Sequence, residues 1–256
     1  MIKSSSNKTL HDSPFRGLGD LSIIFETDQF IAVNKPAGML TIPDRYDETL
    51  TSLYKILERQ YQKIFIIHRL DRETSGLLLF AKDEATHKYL SQLFENRNVE
   101  KFYLGIIHGS LQNNKGVIDE PIAEHLTNKG MMVINQKGKS SLTEYEVIED
   151  YSLYSLVKFK IHTGRTHQIR VHMKHLGHPI LCDEIYGNAQ PVLLSSFKKK
   201  YKLSKHDEEE RPILKRLALH SYQLKFNDSP GVHHEFTADL PKDMRALLQQ
   251  LKKNKR

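Results

Sequence analysis

One polar loop between two apolar runs carries the residues best suited to chemistry. The loop spans residues 68–76, and the four-residue apolar runs on either side have the composition of buried strands. Within it Asp71 lies between Arg69 and Arg72, and nearby positive charge favours an ionised carboxylate. A charged carboxylate on rigid flanks can act as nucleophile or base. The same residues are also typical of a structural turn, with Gly76 supplying an unusual φ.

A second stretch with chemical potential begins a short helix. Apolar residues recur at offsets of four and three across residues 169–176, which predicts a helix that ends at Gly177 and has Thr166 as its N-cap. Its other face is basic and consists of His167, Arg170 and Lys174. Such a face is ordinary for a surface helix, but Gly164 and Arg165 directly before a helix N-terminus also form a good anion site.

Composition favours an anionic partner. The 256 residues suffice for one large domain or two small lobes, and 38 Lys and Arg against 31 Asp and Glu give a formal charge of +7 and a pI near 9.2. This imbalance suits nucleic acid, although many basic proteins bind none specifically. Cys182 is the only cysteine, which excludes an internal disulfide and fits a reducing compartment. With no apolar leader or membrane span in the sequence, we expect a cytoplasmic protein.

Five histidines between residues 162 and 178 raise the question of a metal site. No carboxylate or thiolate accompanies them in a recognised ligand spacing. We therefore expect no metal, and assign these histidines to hydrogen bonding within the fold or to RNA contacts.

The pattern of apolar residues and turn formers predicts one folded unit. Residues 1–19 read as a mobile lead-in, residues 20–252 as the folded domain, and about 195–212 as a charged surface insertion. The predicted helices cover 49–61, 83–96 with Asp83 as cap, and 242–251. The predicted strands include a hairpin over 21–34, a strand over 101–107, an antiparallel meander of four strands over 117–161, and strands over 216–226 and 234–237.

Six motifs follow the order and spacing of the RluA-type pseudouridine synthases, which this sequence resembles over about residues 21–250. They are residues 34–38, 68–76, 101–103, 164–170, 177–180 with Asp183 and Tyr186-Gly187, and 219–220. The resemblance implies an α+β fold with a mixed, mostly antiparallel central sheet flanked by helices and an RNA-binding cleft across the sheet. It also implies an enzyme that detaches a uracil from its ribose, rotates it and rejoins it through carbon, without cofactor or metal.

The resemblance assigns roles by position. Asp71 corresponds to the essential aspartate that attacks or deprotonates the ribose, Arg170 to its basic partner, and Tyr103 to the ring that stacks on the target base. Arg69 is similar to an arginine that replaces the flipped nucleotide in the RNA stack. Further RNA contacts are expected from Lys35, His68, Arg72, Thr74, Arg165, His167 and Gln168. The expected partner is a stem-loop of ribosomal or transfer RNA, bound by a monomer, with the target uridine extruded.

The sequence departs from the family pattern in two features. Many relatives carry an N-terminal S4-type RNA-binding domain, which we do not expect here, and the insertion at residues 198–211 is not part of the motif set. Two alternatives are a non-catalytic RNA-binding protein on the same scaffold and an Asp-dependent glycosidase. The glycosidase needs a second facing carboxylate, for which Glu73 and Asp83 are the candidates. The target RNA and uridine, and whether attack is at ribose or base, stay open.

Overall fold

A computed structural model of the protein describes residues 21–45, 47, 49–203, 208–228 and 232–255. The predicted lead-in lies outside these ranges, as do residues 204–207 of the charged insertion. Within them the strands are β1 (Ser22–Glu26), β2 (Phe30–Lys35), β3 (Phe65–Ile66), β4 (Ser75–Ala81), β5 (Glu100–His108), β6 (Lys115–Asp119), β7 (Ile122–Glu124), β8 (Met132–Ile134), β9 (Leu142–Asp150), β10 (Tyr154–Ile161), β11 (Leu219–Asn227) and β12 (His233–Thr237). The α-helices are α1 (Leu53–Glu58), α2 (Glu84–Glu95), α3 (Gln168–His175) and α4 (Lys242–Lys253).

A mixed sheet forms the centre of the molecule, with strand order β1-β2-β4-β11-β5-β10-β9-β6. The pairing of β4 with β11 is parallel, and the other pairings are antiparallel. The parallel contact is short, because it joins only residues 75–76 to residues 220–221. Beyond it, β3 pairs with the end of β4 and β12 with the end of β11. The architecture confirms the α+β, mostly antiparallel fold.

Apolar side chains fill both faces of the sheet, as the alternation along β4 shows. Leu78 and Phe80 belong to a large core that includes apolar residues of α1, α3 and α4, whereas Leu77 and Leu79 belong to a second core with Leu90 of α2. Both faces of this strand are therefore dry, which accounts for its unbroken apolar sequence. None of the helices within the described ranges has the length and apolar character of a membrane span.

Several predicted elements are confirmed. The hairpin forms as β1 and β2, and the two apolar runs beside the polar loop form β3 and β4, which pair with each other. The helix predicted after residue 83 is α2, and Asp83 caps it by accepting hydrogen bonds from the amide and hydroxyl of Thr86. The terminal helix is α4.

Three local predictions are wrong. The first helix is shorter than residues 49–61, because the Ser52 side chain caps it and starts it at Leu53. The meander is interrupted, since β6 pairs directly with β9 while β8 leaves the sheet to pair with β7, a strand the pattern did not predict. The N-cap of α3 is His167 rather than Thr166, and His167 lies in the left-handed region with φ 56°.

The parallel contact between β4 and β11 yields a stability prediction. Gly76 has φ +114°, and a Cβ there would lie 2.2 Å from the carbonyl oxygen of Ser221. Gly76→Ala should therefore lower the free energy of unfolding by at least about 3 kcal/mol, measured by urea denaturation. Gly177→Ala is the matched control, because Gly177 has φ +80° but open space around a Cβ, so only backbone strain of about 1–2 kcal/mol applies. Equal losses in the two variants would contradict the steric argument.

Candidate active site

A small pocket of about 80 Å³ lies where the loop before β4 meets β5, the end of β10 and the start of α3. It is lined by Arg69, Leu70, Asp71, Thr74, Tyr103, Ile161, Gly164, Arg165, His167, Gln168, Ile169, Arg170 and Leu219. The structure thus brings the three residues with expected catalytic roles together, although about a hundred residues separate the first and last of them. Five of the eight residues expected to contact RNA also line this pocket. Lys35, His68 and Arg72 do not.

Asp71 faces the pocket with its carboxylate largely uncommitted. Its Oδ2 atom lies 3.7 Å from an Nη atom of Arg170 and 3.8 Å from Nε2 of His167, and its side chain is 23% exposed. Both distances are longer than a hydrogen bond, and the one to the Arg170 guanidinium is short enough for charge attraction. The carboxylate oxygens therefore stay available to a substrate.

Arg170 makes its strongest contact with Asp183. The Nε and one Nη atom of Arg170 each donate to a different oxygen of the buried Asp183 carboxylate, at 2.8 Å. Asp183 also accepts from the amides of Ile185 and Tyr186, both at 3.0 Å. Burial alone raises the pKa of Asp183, but the hydrogen bonds and charge of Arg170 outweigh it and hold that pKa below its usual value.

The expected pairing of Arg170 with Asp71 is therefore only a weaker second contact. Asp183 is a site residue that sequence reasoning left without a role, even though it lies in one of the six motifs. The signal was present, because Asp183 follows an apolar segment, residues 180–182, and a carboxylate buried there needs a cation.

His167 is held by Tyr186 so that its other nitrogen is directed at Asp71. Nδ1 of His167 lies 2.9 Å from the hydroxyl oxygen of Tyr186, and that oxygen accepts the amide of Met132 at 2.8 Å. With the Tyr186 hydroxyl donating to Nδ1, a neutral imidazole carries its proton on Nε2, on the side of Asp71. Burial lowers the pKa of His167, against the raising effect of Asp71. The imidazole is thus a neutral donor.

Tyr103 forms one wall of the pocket from the middle of β5. Its side chain is buried, and in the sheet register it lies between Phe159 on β10 and Ser221 on β11. Burial raises the pKa of its hydroxyl, a hydrogen bond with Ser221 lowers it, and the charge of Asp71 raises it, with a net rise. Tyr103 therefore stays protonated and offers a flat ring in the same pocket as the Asp71 carboxylate.

Comparison with known proteins identifies the family. The sequence profile of the family described as RNA pseudouridylate synthase matches residues 29–175. The chain belongs to this family. It is 33% identical over 245 residues to an "Uncharacterized RNA pseudouridine synthase YlyB" of Bacillus subtilis (strain 168), covering 92% of this chain and 74% of the relative. It is 35% identical over 238 residues to "Ribosomal large subunit pseudouridine synthase D" of Nitrosomonas europaea, covering 91% of this chain and 65% of the relative.

Solved structures agree with this assignment. "Human RNA Pseudouridylate Synthase Domain Containing 4" superposes with a TM-score of 0.70 at 25% identity, covering 90% of this chain and 93% of that one. "Human RNA Pseudouridylate Synthase Domain Containing 1" gives a TM-score of 0.64 at 28% identity, covering 92% and 96%. The resemblance to RluA-type enzymes is confirmed, and the protein is an RNA pseudouridine synthase, an enzyme that isomerises uridine in RNA. The glycosidase alternative also lacks its second acid at Asp83, because that carboxylate caps α2.

In this pseudouridine synthase, Lys35 and Thr41 hold the backbone on both sides of Asp71. The Lys35 ammonium donates to the carbonyl oxygens of Pro36 at 3.0 Å, Met39 at 2.8 Å and Arg72 at 3.0 Å. The Thr41 hydroxyl donates to the carbonyl of Leu70 at 2.9 Å and accepts its amide at 3.2 Å. Lys35 is fully buried with all three N–H groups used, which corrects the expectation that it contacts RNA.

Two more predicted RNA contacts have structural roles. His68 accepts the amide of Leu79 at Nε2, stacks on Phe94 with ring centroids 4.5 Å apart, and has its pKa lowered by burial to about 3. It is a neutral support between β4 and α2 and lies outside the pocket, and its contact with RNA stays a prediction. Gln168 lines the pocket but is buried, and its amide is spent on Thr163, the backbone of Arg165, and two groups at the start of β9.

The other residues expected to contact RNA have an exposed side chain or a polar group without a partner among the described residues. Arg69 is exposed at the pocket, and Arg165 is partly exposed with its Nε donating to the carbonyl of Ser140. Thr74 is 2% exposed, and its hydroxyl has no hydrogen-bond partner among the described residues. Arg72 points to a different opening.

Lys35 yields a pH prediction with a defined sign. Burial lowers its pKa from 10.5 to about 7, while Glu73 and Asp71 act in the opposite direction. Between about pH 7 and 10 the unfolded chain keeps a proton that folded Lys35 has released, so its contribution to stability rises with pH. The free energy of unfolding of the wild type minus that of Lys35→Met should therefore increase by up to about 1.4 kcal/mol per pH unit in this window.

Urea denaturation at several pH values measures this difference. Thr41→Val is the control, because it removes a neighbouring hydrogen-bonding side chain that does not titrate. Since both proteins keep Lys35, the difference between their free energies of unfolding should not change with pH in this window. A wild-type advantage over Lys35→Met that stays flat or falls between pH 7 and 10 would contradict the assignment.

Proposed function

We propose that this pseudouridine synthase acts on a uridine of the large ribosomal subunit RNA and that Asp71 is its essential carboxylate. The observation that carries the proposal is the common pocket in which Asp71 faces Arg170, His167 and Tyr103. We choose ribosomal over transfer RNA because the named relatives at 32–36% identity are called ribosomal large subunit pseudouridine synthase D.

The pocket suits the breaking and remaking of a glycosidic bond. Loss of uracil from C1′ builds positive charge on the ribose, which the Asp71 carboxylate stabilises or captures as nucleophile. The departing uracil gains negative charge, for which Arg170 and the neutral donors on Tyr103 and His167 are at hand. The bidentate hold of Asp183 keeps Arg170 in place while the base rotates. The residues that stabilise charge are thus fixed before the substrate enters.

The recessed pocket requires an extruded nucleotide. Neither C1′ nor the base is accessible within a stack, and unstacking costs a few kcal/mol. Stacking on Tyr103 returns about 1–3 kcal/mol per base. Arg69, which is exposed and lines the pocket, is placed to enter the stack that the uridine leaves. An unpaired loop uridine is therefore the preferred target, bound by a monomeric enzyme in the cytoplasm.

Asp71→Asn tests the essential carboxylate. The amide keeps the size but loses the charge and nucleophilicity, so pseudouridine formation should be abolished while RNA affinity changes only a few fold. Glu73→Gln is the control from the same loop and should keep most of the activity. Parallel loss of binding and catalysis in Asp71→Asn would contradict the assigned role.

The target is found by mapping pseudouridines in total ribosomal and transfer RNA with and without this gene. We expect a large-subunit site to disappear and to return with the wild type but not with Asp71→Asn. A site missing only from transfer RNA would overturn the choice of ribosomal RNA.

Tyr103 is tested with two substitutions. Tyr103→Phe retains the ring and should keep most of the stacking, whereas Tyr103→Ala should lose about 1–3 kcal/mol of it. Single-turnover rates and substrate affinity measure the difference. Indistinguishable behaviour of the two variants would refute the stacking role.

A further inference from the structure

The catalytic loop borders a second and larger groove. This groove has a volume of about 450 Å³ and is lined by Pro36, Ala37, Gly38, Met39, Leu40, Leu50, Thr51 and Arg72. None of these residues lines the catalytic pocket. The loop therefore serves two openings, because it presents Asp71 to one and the next residue, Arg72, to the other.

The walls of the groove are mostly apolar, and the polar side chains among them are the Thr51 hydroxyl and one planar cation. Pro36, Met39, Leu40 and Leu50 supply apolar surface, and Arg72 is the only charged residue in the described lining. Such a surface is poorly suited to a phosphate, which needs several donors or cations. It is well suited to a nucleobase, which has two apolar faces and stacks on guanidinium planes.

The Arg72 guanidinium is anchored at one edge and otherwise open. Its Nε donates to the carbonyl of Gly38 at 3.1 Å and lies 3.7 Å from a carboxylate oxygen of Glu73. The side chain remains 56% exposed, and its two terminal nitrogens have no hydrogen-bond partner within the described part of the chain. The Lys35 contact with the Arg72 carbonyl fixes the backbone beneath it. A base that stacks on Arg72 would therefore meet a guanidinium plane that the Gly38 carbonyl holds at one edge.

We propose that this groove binds the base of a nucleotide next to the target uridine, stacked on the guanidinium of Arg72. The inference rests on the proposed function and extends it to a second nucleotide of the same RNA. Arg72 directly follows Asp71, and successive nucleotides in a strand are about 3.4 Å apart when stacked, so a neighbour of the extruded uridine comes within reach. Because stacking tolerates any base, the site senses the presence of a base more than its identity.

The test uses an RNA stem-loop that carries the mapped target uridine, intact or with an abasic residue directly 5′ or 3′ of that uridine. Single-turnover efficiency is measured for the wild type, Arg72→Ala, Arg72→Lys and Arg97→Ala. Arg97 is an exposed arginine after α2 and lines neither opening, so Arg97→Ala is the matched control for lost charge.

One of the two abasic substitutions should lower wild-type efficiency about tenfold, within the range of one stacked base. Arg72→Ala should show a similar loss on intact RNA and no further loss on that abasic RNA. Arg72→Lys should resemble Arg72→Ala, because an ammonium keeps the charge but not the plane. Arg97→Ala should behave like the wild type on every RNA.

A second measurement does not depend on turnover. In the Asp71→Asn background, 2-aminopurine at the same flanking position should be quenched on binding, and Arg72→Ala should remove the quenching. Three outcomes would each overturn the proposed base site. They are losses of efficiency from Arg72→Ala and from the abasic RNA that multiply, an Arg72→Lys variant that behaves like the wild type, and abasic residues that have no effect on either side of the uridine. A wild type that modifies no RNA would overturn the proposed function and this inference together.

Discussion

The buried ion pair between Arg170 and Asp183 is the interaction on which the rest of the site depends. An arginine without a partner in this position would cost about 3–5 kcal/mol, so Asp183 is needed for Arg170 to lie in the interior at all. The pairing takes Nε and one Nη of the guanidinium and leaves the other Nη toward Asp71. Asp183 also binds the amide of Tyr186, whose hydroxyl orients His167. One carboxylate thus arranges Arg170 directly and His167 through Tyr186, the two side chains that face Asp71 from the start of α3.

Asp71 itself is positioned in a different way. Its backbone is fixed on both sides, because Thr41 donates a hydrogen bond to the carbonyl of Leu70 and Lys35 donates one to the carbonyl of Arg72. Its carboxylate, by contrast, accepts no hydrogen bond from the described residues; the Arg170 guanidinium attracts it from 3.7 Å and the neutral His167 ring lies 3.8 Å away. A carboxylate that is rigidly placed but not saturated with donors keeps lone pairs for bond formation. Asp71 thus combines a tightly held backbone with a side chain that is free to meet a ligand.

The sequence predicts local features of the fold and of the site well, and long-range ones poorly. The loop around Asp71 was recognisable because polar residues interrupt apolar runs, and α2 because Asp83 is followed by helical periodicity. Lys35 was misjudged, since a lysine after a strand normally lies in water, and only the folded chain brings three carbonyl oxygens around it. The N-cap at His167 escaped the capping rule, because that residue has a left-handed backbone and its side chain makes no capping hydrogen bond. The role of Asp183 and the pairing of β4 with β11 involve partners that local patterns do not encode.

The position of β11 has a consequence for how the molecule assembles. Among the described strands, β11 is the one that pairs with both β4 and β5, and it joins the half of the sheet that carries Asp71 to the half that carries Tyr103. The contact between Ser75 and His220 spans 145 residues of chain, so its closure carries a larger entropic cost than that of a local contact. Until β11 has been synthesised, these two halves of the sheet have no shared strand. The two halves of the sheet, and with them the residues that line the pocket, are therefore joined through a strand that is synthesised near the end of the chain.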